Sequence, residues 1–160
     1  MISVRHNKYK ILLVDDDPSV LKIFRLLLEF DGHEVQTVDS GNSALAMIEL
    51  CQFDLIITDY LMPGMKGDEL AALIKKRLPD QPIILTSGSF TCASNNANNP
   101  LTGVDCFLNK PFTLAELRDA IIWVIDHHAE SRKVGLGTQG LPGGPLPHGH
   151  ITRRTPGGRS

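Results

Sequence analysis

Two apolar runs in this chain end in acid: Ile11-Leu12-Leu13-Val14 leads into Asp15-Asp16, and Leu55-Ile56-Ile57-Thr58 leads into Asp59. A strand with one face in water alternates apolar and polar residues, so a run without alternation belongs to a strand buried on both faces. That is the condition of a parallel sheet covered by helices. In such open sheets ligands bind beyond the carboxyl ends of the strands. The three aspartates therefore mark a site at that edge. Gathering three negative charges in a partly dry pocket is unfavourable unless a cation joins them, and hard carboxylate oxygens suit Mg²⁺. An acidic metal pocket is the first expectation.

The rest of the sequence agrees with a single layered domain. From Lys10 to about His128, short apolar runs alternate with helical patterns, which predicts an α/β fold with a parallel sheet and helices on both faces. The first strand is read at Lys10 to Val14. Asp17 then caps a helix with Pro18 in its first turn, and Val20, Phe24, Leu27 and Leu28 supply the buried stripe. Asp31-Gly32 ends that helix, and Glu34 to Val38 forms the second strand. A second helix is expected from near Ser43, with Leu45, Met47 and Ile48 inward, then a third strand from Asp54 to Thr58. The loop Tyr60 to Gly67 is shaped by Pro63, Gly64 and Gly67. A helix from Asp68 to Arg77, a strand from Ile83 to Thr86 and a strand from Val104 to Leu108 follow. Thr113-Leu114-Ala115-Glu116 is a capping box that opens the last helix.

Three segments are expected: an N-terminal extension (1–9), the folded domain (10–128) and a Gly/Pro-rich basic tail (129–160) without structure. Eight of the 14 Gly lie in that tail, which shows almost no apolar periodicity. The tail carries five cationic residues against Glu130, so the net charge of −2 divides into +4 in the tail and −6 in the rest. No apolar stretch approaches the roughly 20 residues of a spanning helix. Met1 to His6 lacks an apolar signal core, so a cytoplasmic protein is expected, with no membrane and no nucleic acid as partner. Cys51, Cys92 and Cys106 show no paired spacing and are read as reduced and structural.

Five elements stand in order, each at a strand end: Asp15-Asp16, Asp59, Met62-Pro63-Gly64 with Gly67, Ser87-Gly88 and Lys110-Pro111-Phe112. On these residues the chain resembles the receiver domain of two-component response regulators from Lys10 to roughly His127, of the stand-alone, chemotaxis-regulator-like type. The resemblance implies the flavodoxin-like sheet order 2-1-3-4-5, which places Asp59 between Asp15-Asp16 and Ser87. It also implies roles. Asp59 would be the phosphoacceptor, taking a phosphoryl group from a sensor histidine kinase or a histidine phosphotransfer protein. Mg²⁺ would be held by Asp15, Asp16, Asp59 and the backbone carbonyl of Leu61. Lys110 and Ser87 would contact the phosphoryl oxygens, and Ser87 and Phe107 would form the switch. Such a domain is a signalling phosphoacceptor rather than an enzyme.

Other readings compete with this one. Asp15-Asp16-Asp17-Pro18-Ser19 also fits the Asp-x-Asp-x-Thr/Ser motif of haloacid dehalogenase-like phosphatases, in which Asp15 would be phosphorylated. That reading leaves Asp59, Ser87 and Lys110 in the wrong order of roles. A pseudo-receiver is opposed by the intact acid set. His127-His128 and His148-Gly149-His150 read as surface residues rather than ligands. Residues 89–103, with four Asn and Pro100, read as a poor helix.

Overall fold

The computed structural model describes residues 7–88 and 103–134. Along the chain run β1 (Lys10–Val14), α1 (Pro18–Phe30), β2 (Glu34–Val38), α2 (Gly41–Leu50), β3 (Leu55–Asp59), α3 (Gly67–Arg77), β4 (Ile83–Ser87), β5 (Cys106–Asn109) and α4 (Leu114–Val134). The five strands form one parallel sheet in the order β2-β1-β3-β4-β5, the predicted flavodoxin-like topology.

Strand side chains alternate between two helix layers, as the two-residue period of a strand requires. Ile11, Leu13, Leu55, Ile57 and Ile84 meet α1 and α4 through Leu28, Leu117, Ile121 and Val124. Leu12, Val14, Ile56 and Ile83 meet α2 and α3 through Ala44, Leu70, Ala71 and Ile74. Both faces of β1, β3 and β4 are thus dry, which is why their sequences lack alternation.

The caps follow the sequence closely. Asp17 Oδ1 accepts the backbone N–H of Ser19 at 2.8 Å, and Pro18 opens α1. Glu116 Oε2 accepts the Thr113 N–H at 2.7 Å while Thr113 Oγ1 accepts the Glu116 N–H at 3.2 Å, the two halves of the predicted box.

Boundaries differ in physically readable ways. The second helix begins at Gly41 rather than near Ser43, because Ser40 caps it by accepting the Ser43 N–H. The fifth strand begins at Cys106 rather than Val104. There the Asp105 carboxylate accepts the Ile83 N–H at 2.8 Å, taking up a donor that a strand carbonyl would otherwise bind. The last helix continues to Val134, so the expected domain boundary at 128/129 falls inside α4. Ala129 to Val134 contains neither Gly nor Pro, and Gly135 is the first breaker after it. The expectations for 89–102, for Cys92, and for the tail from 135 onward lie outside the described residues.

Candidate functional site

Sheet register brings the acids together. Val14 pairs with Thr58, so Asp15 and Asp59 emerge one residue further on from neighbouring strands. Asp15, Asp16 and Asp59 each offer a carboxylate oxygen, and these oxygens lie within 4.8 Å of one another. Asp15 is buried, Asp59 half-buried and Asp16 exposed. The Asp15 carboxylate is anchored from behind, where Oδ1 accepts the Asp17 N–H at 3.0 Å.

Lys110 answers this charge. Its ammonium donates to Asp59 Oδ1 at 2.9 Å and to Asp15 Oδ2 at 3.0 Å. Its backbone N–H donates to the Ser87 carbonyl at 2.8 Å, which fixes the β5–α4 loop against the end of β4, and Lys110-Pro111 is cis. Burial pulls the Lys110 pKa down, but the hydrogen bonds and charges of Asp59 and Asp15 outweigh it and hold the ammonium above the ordinary lysine value.

The remaining predicted residues fall around this centre. Ser87 is buried at the end of β4, in register with Asn109 of β5. Phe107 is half-buried in β5 opposite Leu85. Leu61 lies two residues after Asp59 in the β3–α3 loop, and its side chain is exposed. That loop is closed at both ends: Tyr60 N–H donates to the Thr86 carbonyl at 2.8 Å, and Gly67 N–H to the Tyr60 carbonyl at 2.9 Å.

Two features escaped the sequence reading. Phe24, read only as part of a helix stripe, has its ring 5.9 Å from the Lys110 ammonium and meets Phe112 edge to face at 5.1 Å. No spacing in the sequence signals that contact. At the opposite end of the sheet, Asp105 binds Lys75 Nζ at 2.9 Å and His128 Nε2 at 2.9 Å. His128 is therefore a structural partner rather than a plain surface residue. Burial raises the Asp105 pKa, and the bonds from His128 and Lys75 more than reverse it, leaving it below the ordinary carboxylate value. The Cys106 thiol beside it is pushed up to about 11 by burial and the Asp105 charge, which keeps it protonated and unreactive.

Comparison with known proteins defines the class. Residues 11–122 match the family model of the response regulator receiver domain, and the chain belongs to that family. The transcriptional regulatory protein GlrR of Escherichia coli is 35% identical over 125 residues, covering 78% of this chain and 27% of the relative. The nisin biosynthesis regulatory protein NisR of Lactococcus lactis is 35% identical over 109 residues, 68% of this chain and 47% of the relative. The chain thus spans less than half the length of these two curated relatives. Among solved structures, a CheY-like receiver domain protein from Methanospirillum hungatei superposes with a TM-score of 0.70 at 30% identity, over 78% of this chain and 99% of that one. A receiver domain protein from Clostridium thermocellum gives 0.68 at 32% identity, over 76% and 97%.

Membership in this family places the chain in two-component signalling and removes the phosphatase reading based on Asp15. Receiver domains bind Mg²⁺ in an acidic pocket, and the donor set here fits: three carboxylates converge, and a lysine ammonium already occupies their field. Among the described residues no helix is long and apolar enough to cross a membrane.

Proposed function

We propose that Asp59 accepts a phosphoryl group from a phosphohistidine carried by a sensor histidine kinase or a histidine phosphotransfer protein. The observation that carries this reading is the Lys110 ammonium bridging Asp59 and Asp15 at the carboxyl edge of the sheet. A carboxylate oxygen of Asp59 attacks phosphorus and forms an acyl phosphate. The P–N bond breaks, and the leaving ring nitrogen keeps its electron pair and takes a proton from solvent.

Phosphoryl transfer asks the protein mainly for positioning and charge stabilisation. Lys110 pairs with Asp59 before transfer and with a phosphoryl oxygen after it. The Ser87 hydroxyl donates to another phosphoryl oxygen. Asp15, Asp16, Asp59 and the Leu61 carbonyl are the groups that would hold Mg²⁺, which when bound neutralises charge on the transferring group. Movement of Ser87 toward the phosphoryl group is passed across the β4–β5 register to Phe107. Having no hydroxyl, Phe107 responds by packing alone.

The output is a change in protein contacts or onward relay of the phosphoryl group. The names of GlrR and NisR describe regulators more than twice the length matched here, and their regulatory targets are not carried over to this chain. The donor protein must cover the rim to bring its histidine to Asp59. The exposed Ile23 and Leu26 of α1, within two to three turns of the acid pocket, offer it an apolar surface.

Intact mass after incubation with acetyl phosphate and Mg²⁺ tests the assignment. Wild type gains one phosphoryl group, Asp59→Asn gains none, and chelation suppresses the reaction. Persistent uptake by Asp59→Asn would sink it.

A further inference from the structure

We propose that Phe24 is a positioning residue for Lys110: its ring holds the ammonium at the Asp59 edge of the pocket. The inference rests on the proposed role of Lys110 at Asp59 and adds a residue to it. A lysine side chain is a point charge on a flexible four-carbon stem, so two carboxylates alone leave it several placements. Asp16, exposed in the same cluster, is a third acid the ammonium could follow toward solvent.

The ring limits that freedom. The Lys110 Nζ sits over the Phe24 ring at 5.9 Å from its centroid, inside the range of cation–π attraction. Phe24 is itself held. It belongs to the half-buried rim of the core layer under α1 and α4, and Phe112 meets it at an interplanar angle of 75° with centroids 5.1 Å apart. Phe112 lies two residues after Lys110, so the loop that carries the lysine also braces the ring that restrains it. The ammonium is thus bounded by Asp15, Asp59 and an aromatic face, while its own backbone N–H is tied to the Ser87 carbonyl. A leucine at position 24 would fill much of the same volume and supply no quadrupole. The aromatic face, beyond its apolar bulk, is what the position contributes.

Phosphoryl uptake from acetyl phosphate at saturating Mg²⁺, measured on the full chain, tests this. Phe24→Leu is expected to lower the limiting rate about three- to tenfold, with the half-saturating donor concentration unchanged, and Phe24→Tyr to recover it. Phe24→Leu introduced into Lys110→Met is expected to add no further loss, because the effect passes through Lys110. A second readout needs neither metal nor donor. The Lys110 Hε resonances, identified by their disappearance in Lys110→Met, are shifted upfield by the ring and move toward free-lysine positions in Phe24→Leu. A full rate in Phe24→Leu, an equal loss in both backgrounds, or unmoved Hε resonances overturns the inference while wild-type uptake leaves the phosphoacceptor reading standing. No uptake by wild type takes down the reading and the inference together.

Discussion

Gly67 sits against Asp59 so closely that a β-carbon on it would lie 2.2 Å from the Asp59 carbonyl oxygen and 2.6 Å from Leu85 Cδ1. The first residue of α3 is thereby pressed onto the end of the strand that carries the phosphoacceptor candidate. Backbone cannot yield there, because the same turn is pinned by the Gly67 N–H to the Tyr60 carbonyl. Gly67→Ala is expected to cost about 1–3 kcal/mol by overpacking and to slow phosphoryl uptake by displacing Asp59. Gly64→Ala is the control: its φ of +80° is strained for alanine, yet nothing lies within 4 Å of an added β-carbon. Its cost should stay near about 1 kcal/mol. Denaturant unfolding of both variants checks the order, and a Gly67→Ala protein as stable as wild type contradicts the crowding.

Asp105 makes low-pH stability depend on the far end of the sheet. Its carboxylate faces Lys75 of α3 and His128 of α4 and also accepts the Ile83 N–H. Its folded pKa lies below the ordinary value of 3.8. For a depressed acid, the stabilisation is complete above the unfolded pKa and lost as pH falls through the folded one. Asp105→Asn should therefore cost on the order of 2 kcal/mol near neutral pH, and the difference from wild type should shrink below about pH 4. A constant difference from pH 7 down to pH 3 would show that charge is not what Asp105 contributes.

How much was readable beforehand depended on whether a feature was local. The runs at β1, β3 and β4, the Asp17 and Thr113 caps, and the acids at strand ends are set by residues adjacent in sequence, and all were legible. Sheet order came from the resemblance, since parallel strands meet across whole helices. Phe24 against Lys110 and His128 against Asp105 join residues far apart in the chain, and neither has a spacing rule to announce it. The start of β5 was misplaced because a side-chain carboxylate stands in for a strand carbonyl, a substitution that no periodicity records. The end of α4 was set too early because apolar periodicity fades before the helix does.

Partner-dependent chemistry should separate from intrinsic chemistry on α1. Ile23 and Leu26 are each 58% exposed, one turn apart on the helix that starts beside the acid pocket. A small donor has no use for that surface, whereas under the proposed function a protein donor would lie over it to reach Asp59. Ile23→Glu is expected to slow transfer from a phosphorylated histidine protein at least tenfold, with uptake from acetyl phosphate unchanged. Equal slowing with both donors would place the effect in the pocket and not in docking.

Leu61 should govern how long the phosphoryl group lasts. It stands two residues after Asp59, its side chain 55% exposed beside the pocket. Hydrolysis of the acyl phosphate needs a water placed in line with the P–O bond. A polar side chain at this position can orient that water by hydrogen bonding, whereas leucine offers no donor or acceptor and shields the approach. Slow spontaneous loss is therefore expected of the wild type. Leu61→Asn should accelerate it several-fold while leaving the rate of uptake near the wild-type value, because Asp59 and Lys110 are untouched. Following the phosphorylated mass over time after donor removal gives the rate directly. If Leu61→Asn and wild type decay together, water access at residue 61 does not set the lifetime.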